Sequence, residues 1–397
     1  MKLIIMITIY IAMFAVGALL TWSNVRGWRK SRGSARRSHA FWLIPYVVLS
    51  SLPLIGAFIP DSPVKNAVQA VGNIWLGFFV YYGGLLLIFT AVSGIAGLIA
   101  GRKKRRDLHG AVLCISIAAA LVLFGYGLYN AQQPKVVTYD IALDKPAEEC
   151  SEMKIVLIAD LHLGVNSSLP LMQKTAGMIN DLEPDVVLVA GDIFNSSYSG
   201  VSRPEEYARA FAGIRAEHGV YAVYGNHDVE EGLLGGFSIS PVSEAFRSPE
   251  MEEFFRKSGF RVLTDETAVL PGGIQLVGRI DGDKAGDGTR DRMAPAELLA
   301  GVETDKPVIV LEHEPIEYEE LAEAGADIIL SGHTHNGQIF PGNLVVPFFN
   351  ENPRGLKKLY GTDTVVTSGV GYYGPPIRVG TISEITVVNI SFDQKGD

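Results

Sequence analysis

The sequence predicts a layered α/β domain carried behind a bundle of about four transmembrane helices. Three observations predict it. Four charge-free apolar runs crowd the first third of the chain, strand and helix patterns alternate through the rest, and five of the predicted strands end in carboxylate, amide or imidazole side chains.

The apolar runs are Leu3 to Leu20, Phe41 to Ile59, Ile74 to Ala100 and Ala111 to Tyr129, each near the ~20 residues a helix needs to cross the hydrocarbon core. Spans are expected near residues 3–22, 41–59, 74–100 and 111–130, within a transmembrane region of 1–131. A cleaved signal peptide is the competing reading of the first run. That run is long for a signal, however, and six basic residues follow it in place of a cleavage site. Pro45 and Pro53 weaken the second run as a span, although membrane helices tolerate proline. Arg26, Arg29, Lys30, Arg32, Arg36 and Arg37 lie after the first run, and Arg102, Lys103, Lys104, Arg105 and Arg106 before the fourth, which marks both loops as cytoplasmic. The loop at 60–73 carries only Asp61 and Lys65, as an outer loop would. The expectation is a multi-pass cell-membrane protein whose large C-terminal part is extracytoplasmic. Gly97 and Gly101 form one GxxxG pattern, no acid lies mid-span, and no transport pathway is predicted.

Charge divides the chain at the same place. Residues 1–133 hold 13 Lys/Arg against Asp61 and Asp107, a net of +11, so the total of −9 leaves −20 on residues 134–397. That acidic surface repels polyanions, and no nucleic-acid partner is expected. Cys114 lies inside the fourth span and Cys150 near the start of the acidic part, so no disulfide joins them.

Residues 132–152 read as a linker with a first edge strand at Val136–Ile141, 153–392 as the α/β domain and 393–397 as a tail. Strands are predicted at Lys154–Ala159, Asp185–Ala190, Val220–Tyr224, Ile274–Val277, Pro307–Leu311, Asp327–Leu330, Thr364–Thr367 and Glu384–Ile390. Helices are predicted at Leu169–Asp181 and Pro204–Glu217, and Gly232–Pro249 reads as a long loop. The strand ends carry the chemistry. Asp160-Leu161-His162, Gly191-Asp192, Gly225-Asn226-His227-Asp228, Glu312-His313-Glu314 and Gly332-His333-Thr334-His335 follow successive strands. Carboxyl ends of strands are where α/β folds collect ligands. Singly, each motif is also an ordinary turn or capping sequence. Together they gather five of the eight histidines, leaving His39, His109 and His218 as bystanders.

These ordered motifs resemble those of the calcineurin-like metallophosphoesterase superfamily, and behind membrane spans they are similar to the membrane-attached YkuE/YaeI-type bacterial phosphoesterases. The resemblance implies a four-layer αββα sandwich and hydrolysis of a phosphoester by metal-activated hydroxide. It places Asp160, His162, Asp192 and His335 on one divalent metal and Asp192, Asn226, His313 and His333 on a second, with Asp192 bridging. Mixed carboxylate, amide and imidazole donors suit manganese, iron or zinc. His227 is expected, with Asp192 and Asn226, to serve catalysis by contacting phosphate and assisting the leaving group. Asp228 is not a ligand in that pattern. Two positions depart from it. Asn195 stands where many relatives carry an acid that pairs with the catalytic histidine, and Asn336 replaces a glycine in the Gly-His-Thr-His loop.

Asp281, Asp283, Arg290 and Arg292 could border the site, but a Gly/Asp-rich surface loop is the favoured reading; Tyr372 and Tyr373 line the opposite wall or close the core. The expected substrate is a phosphodiester or a phosphorylated lipid. The alternatives are a metal-binding scaffold without turnover and a phosphomonoesterase acting on a small soluble substrate. The oligomeric state is open.

Overall fold

The computed structural model describes residues 2–32, 40–100, 102–234 and 237–393. Arg36, Arg37, His39, Gly101 and the tail beyond Asp393 lie outside the described residues. The chain divides into two compact units: 1–128 with 233–239 and 374–376, and 129–232 with 240–373 and 377–397.

The first unit is built on four helices: α1 (Lys2–Ser31), α2 (Ala40–Phe58), α3 (Pro63–Ala100) and α4 (Arg102–Ala131, of which the last turn belongs to the second unit). Three apolar stretches, Ile4–Ser31, Pro63–Ile99 and Leu108–Ala131, are long enough to cross a membrane, while the apolar part of α2, Leu43–Phe58, is shorter. Helix α3 starts at Pro63 and not at Ile74, so most of the expected outer loop is helical. The cause is local: Ser62 Oγ accepts from the Lys65 amide at 3.2 Å, and proline occupies the first helical position, where a missing N–H costs nothing. Polar side chains tie the helices together. Tyr46 Oη donates to the Phe14 carbonyl (2.7 Å), Asn24 Nδ2 donates to Thr90 Oγ1 (2.9 Å), and His109 Nδ1 lies 2.8 Å from Asn24 Oδ1. His109 is thus a buried packing residue of this unit.

The second unit contains β1 (Lys135–Leu143), β2 (Glu152–Ile158), α5 (Leu169–Asp181), β3 (Val186–Ala190), α6 (Pro204–Ala212) and β4 (Val220–Val223). A two-residue-stranded hairpin, β5 (Leu233–Leu234) and β6 (Phe237–Ser238), groups with the first unit. There follow α7 (Pro249–Lys257), β7 (Arg261–Val262), β8 (Glu266–Val269), β9 (Gln275–Gly278), α8 (Pro295–Leu298), β10 (Val308–Leu311), α9 (Tyr318–Glu323), β11 (Ile328–Ser331), α10 (Gly342–Val345), β12 (Gly355–Leu359), β13 (Thr362–Val366) and β14 (Glu384–Phe392). One six-stranded sheet runs β1-β14-β2-β3-β4-β7 and the other β12-β13-β11-β10-β9-β8.

Period-two alternation sorts the side chains into layers. Ile155, Leu157, Leu188, Leu276, Ile309, Leu311, Ile328 and Leu330 fill the space between the two sheets. Val156, Ile158, Val187 and Val189 point the other way, against Leu171, Met172, Ile179, Phe211 and Phe254 of α5, α6 and α7. Val277, Val308, Val310 and Ile329 pack on Leu298, Tyr318 and Leu321 of α8 and α9. Helix, sheet, sheet and helix therefore stack as four layers, the predicted αββα sandwich. Parallel pairing of β2, β3 and β4 in one sheet, and of β9, β10 and β11 in the other, brings their carboxyl ends to one edge of the sandwich.

Several elements differ from expectation. Helix α6 stops at Ala212, not Glu217, because Gly213 caps it and Asn180 holds the exit, accepting from the Arg215 amide (2.7 Å) and donating to the Gly213 carbonyl (2.9 Å). The segment 232–249, expected as a long loop, holds the β5–β6 hairpin and a short 3-10 turn at Val242–Glu244, and α7 begins at its end. Strands β8 and β12 and helix α7 were not predicted. Both strands lie at an edge of their sheet with mostly exposed side chains, so neither shows an apolar run, whereas α7 opens on an N-cap, Ser248, followed by proline.

Candidate active site

The site forms where the five strand ends meet. Asp160 and His162 follow β2, Asp192 follows β3, Asn226 and His227 follow β4, His313 follows β10, and His333 and His335 follow β11. Asp160, His162, Asp192, His333 and His335 all have left-handed backbone angles, with φ between 45° and 71°. Non-glycine residues adopt that region at a cost, which the surrounding packing must hold in place, and such strain collects at functional sites. Close approach explains one glycine: a Cβ on Gly225 would lie 2.3 Å from Asp192 Oδ1. Asn336 adopts φ 49°, ψ 33°, the conformation that the glycine it replaces would favour.

Two groups of donors share Asp192. In the first, His162 Nε2 lies 2.9 Å from His335 Nε2 and 3.9 Å from Asp160 Oδ1, and His335 Nε2 lies 3.3 Å from the same oxygen. In the second, His313 Nε2 lies 3.2 Å from His333 Nδ1 and 3.1 Å from Asn226 Oδ1, with Asn226 Oδ1 3.2 Å from His333 Nδ1. Asp192 Oδ2 stands between them, 3.6 Å from His162 Nε2 and 3.1 Å from His313 Nε2. Among the described residues, Asp160, His162 and His335 form one metal-competent cluster and Asp160, Asp192 and His313 another, all buried. The structure thus brings all seven predicted ligands into one crevice. His227 stands beside them: its ring centroid is 5.6 Å from that of His162, and its backbone N–H donates to Asp192 Oδ1 (2.8 Å).

The family model described as calcineurin-like phosphoesterase matches residues 153–337. A zebrafish (Danio rerio) "Transmembrane protein with metallophosphoesterase domain" is 31% identical over 332 residues, 78% of this chain and 71% of that protein. An "Uncharacterized metallophosphoesterase" of Helicobacter pylori strain J99 is 31% identical over 284 residues, 70% of each chain. The "UDP-2,3-diacylglucosamine pyrophosphatase LpxG" of Chlamydia trachomatis is 24% identical over 220 residues, 47% of this chain and 64% of that one. The chain belongs to the calcineurin-like metallophosphoesterase family. It is a phosphoester hydrolase.

The donor chemistry of this metallophosphoesterase fits divalent cations. Burial pushes His162 and His333 down to about 3, so both rings present uncharged lone pairs at neutral pH. Burial pushes the Asp192 carboxyl up, but the imidazoles of His313 and His227 outweigh it and hold the group well below the ordinary carboxylate range. His313 shows the reciprocal effect: burial disfavours its charge, yet Asp192 and then Asp160 and Asp281 raise its pKa well above that of a free imidazole. Asp160 is pushed up to about 7 by burial. Two facing imidazole nitrogens 2.9 Å apart, with carboxylate oxygens closing the same space, form a set of donors converging on one point, which a cation satisfies. Outer contacts also orient the rings. His313 Nδ1 donates to the Ala190 carbonyl at 2.7 Å, which turns Nε2 inward, whereas His162 Nδ1 has no hydrogen-bond partner among the described residues. The guanidinium of Arg378, fully buried, lies 3.3 Å from His335 Nδ1 and donates to the carbonyls of Ser368 and Gly369.

Other sequence candidates take structural roles. Asp228 clamps two loops, accepting from the amides of Gly225 (2.8 Å) and Phe194 (2.9 Å). Arg290 pairs with Asp283 (3.0 Å), and Arg292 with Glu317 (2.5 Å). Asp281 is not on a surface loop as expected: it is 2% exposed, and its Oδ1 accepts from the amides of Asp283 and Lys284. Glu312 turns away from the crevice to Arg279 (3.2 Å). Tyr372 joins the core, while the Tyr373 ring packs 4.5 Å from His227 and 5.0 Å from His162. Sequence reasoning missed Ser196, Glu231, Lys284 and Arg378. Glu231, four residues after His227, carried the one available signal.

Proposed function

We propose that this protein is a membrane-anchored, dinuclear-metal-dependent hydrolase that cleaves a phosphodiester or lipid-linked phosphate at the extracytoplasmic face. The observation that carries the reading is the carboxylate of Asp192 standing between two histidine-rich donor groups, with His227 at their side. Asp160, His162, Asp192 and His335 would hold one metal, and Asp192, Asn226, His313 and His333 the other; manganese, iron or zinc suits these donors. Bound there, divalent metals supply Lewis acidity toward water and phosphoryl oxygens. Asp192 and Asn226 hold the two halves of the centre in register. His227 contacts the phosphate, and as the P–O bond to the leaving group breaks with its electron pair on the leaving oxygen, the protonated ring gives that oxygen its Nε2 proton and is left as the Nδ1–H form.

Membrane anchoring is supported by three long apolar helices and by the transmembrane relatives, and the orientation by basic residues in the two loops expected to be cytoplasmic. A lipid-linked substrate is supported by this anchoring and by the LpxG relative, whose name specifies a pyrophosphatase of a diacylated glucosamine nucleotide.

The test uses the full chain in bilayers, loaded with manganese, against a nitrophenyl phosphodiester, a soluble nucleotide diphosphate ester and a phosphorylated lipid, with Asp192→Ala as control. Turnover of the lipid above control supports the reading. Turnover of soluble esters alone removes the lipid substrate, and no turnover of any ester by metallated protein leaves a binding scaffold. Reporters fused after Tyr139 and at Lys104 check orientation: extracytoplasmic at the first and cytoplasmic at the second is the expected outcome.

A further inference from the structure

Asn195 stands where an acid would be expected to support His227, yet the ring is supported from elsewhere. Asn195 Oδ1 is buried without a hydrogen-bond partner among the described residues. His227 Nδ1 instead lies 2.6 Å from Ser196 Oγ, and the Ser196 hydroxyl donates to Glu231 Oε1 at 2.8 Å. The Lys284 ammonium donates to that same carboxylate oxygen at 2.9 Å and to the Asn226 carbonyl at 3.0 Å. The side chains of Glu231 and Lys284 are 0% and 5% exposed. A buried ion pair is poor evidence of stabilisation, since desolvation offsets the attraction, so its place beside a catalytic ring calls for another role.

We infer that Ser196 and Glu231, braced by Lys284, are positioning residues for His227, fixing its tautomer and aiming Nε2 into the crevice. This rests on the role given to His227 above. A serine hydroxyl has one proton, and here Glu231 receives it. Ser196 Oγ can then only accept from the ring, so Nδ1 carries a hydrogen and Nε2 is the nitrogen left for phosphate and leaving group. Glu231 also lies 3.3 Å from Nδ1, so the same carboxylate faces the ring directly. Tyr373, tilted 32° against His227, closes one face of the imidazole and opposes rotation out of this geometry. Three loops contribute: Ser196 after β3, Glu231 after β4 and Lys284 after β9. The acid that faces the ring thus comes from the loop after β4 and not from residue 195, with a serine as spacer.

The experiment uses full chain in nanodiscs, loaded with diamagnetic zinc and labelled with 15N-histidine, as wild type, Ser196→Ala and the isosteric Glu231→Gln. Two-bond proton–nitrogen correlations should show a hydrogen on His227 Nδ1 in wild type, in the neutral ring and in the imidazolium alike, and a shifted or mixed pattern in both variants. A neutral wild-type ring whose hydrogen sits on Nε2 with none on Nδ1, or an unchanged pattern in both variants, overturns the proposal. A kinetic arm compares diesters with alkyl and nitrophenyl leaving groups. Because general acid assistance of ~10²–10⁴-fold matters most for a poor leaving group, kcat should fall about 10- to 100-fold on the alkyl ester and about 3-fold or less on the nitrophenyl ester, with KM and metal content unchanged. Equal losses on both esters would also overturn it. If wild type hydrolyses neither ester while the tautomer result holds, the hydrolase reading fails and the positioning role stands.

Discussion

His313 and His227 face the crevice from two walls and are held in opposite ways. His313 leans on backbone: Nδ1 donates to the Ala190 carbonyl, and both residues sit at the ends of sheet strands. His227 leans on side chains, through Ser196 to Glu231 and Lys284, all carried on loops. A ring anchored to a backbone carbonyl keeps its geometry through almost any side-chain substitution nearby. One anchored to a relay depends on each member. The His313 wall is therefore robust and legible from motifs, and the His227 wall is adjustable.

The largest effect should come from the residue between the walls. Asp192→Ala removes the carboxylate close to both donor groups and should lower kcat/KM by on the order of 10³-fold or more, since metal electrostatics supply several kcal/mol of transition-state stabilisation. His162→Ala edits one group and should cost less. Elemental analysis after dialysis checks the cause: unchanged metal content in Asp192→Ala would remove the shared-ligand role.

Next to His313 in the chain, Glu312 forms a buried pair with Arg279, 1% exposed each. Arg279→Met leaves Glu312 without that partner, and breaking a buried pair typically costs about 3–5 kcal/mol. Burial already pushes the Glu312 carboxyl up to about 7. A carboxyl raised above its unfolded value contributes stability below that value and loses it as pH rises through about 7. The variant should accordingly lose more thermal stability at pH 8, where Glu312 is an anion left to the more distant Arg292 (3.9 Å), than at pH 5, where it is protonated. Equal losses at both pH values would argue against the pairing.

A subtler contrast concerns protons. His313, raised by Asp192, must give up its Nε2 proton to bind a metal, whereas His162 and His333, held near 3, have none to give at neutral pH. Loading the second donor group at pH 7 should release about one proton, so apparent affinity rises with pH. Calorimetry in buffers of different ionisation enthalpy would detect it, and zero release would contradict the His313–Asp192 coupling. The smallest effect belongs to Asn195→Ala, which should change kcat by less than about 3-fold because its Oδ1 has no hydrogen-bond partner among the described residues and His227 Nδ1 meets Ser196; a loss comparable to that of Glu231→Gln would place the support back on residue 195.

The strand-end motifs determined a great deal by themselves. Alternating apolar runs ending in Asp160, Asp192, Asn226, His313 and His333 could only gather at one edge if the strands pair in parallel, and the four-layer sandwich does that. Local signals also carried far: α5 spans the predicted Leu169–Asp181, with Ser168 as its N-cap, and Asn336 was compatible with a left-handed turn. Edge strands β8 and β12 escaped notice because exposed side chains leave no hydrophobic period to read.

Only the tertiary structure decided which acid serves His227. Residue 195 is near the ring in sequence register, but a side chain's partner depends on where its Cα–Cβ bond points after the loop has folded. Ser196, at φ 59°, is the residue whose side chain meets Nδ1. Glu231 and Lys284 complete the contact from chain positions 35 and 88 residues after it, separations at which composition and spacing carry no information about distance. Ligand types at strand ends are written into the chain because the sheet repeats at fixed intervals; the orientation of a loop-borne ring is not, because it depends on packing among segments that meet only once the sandwich has closed.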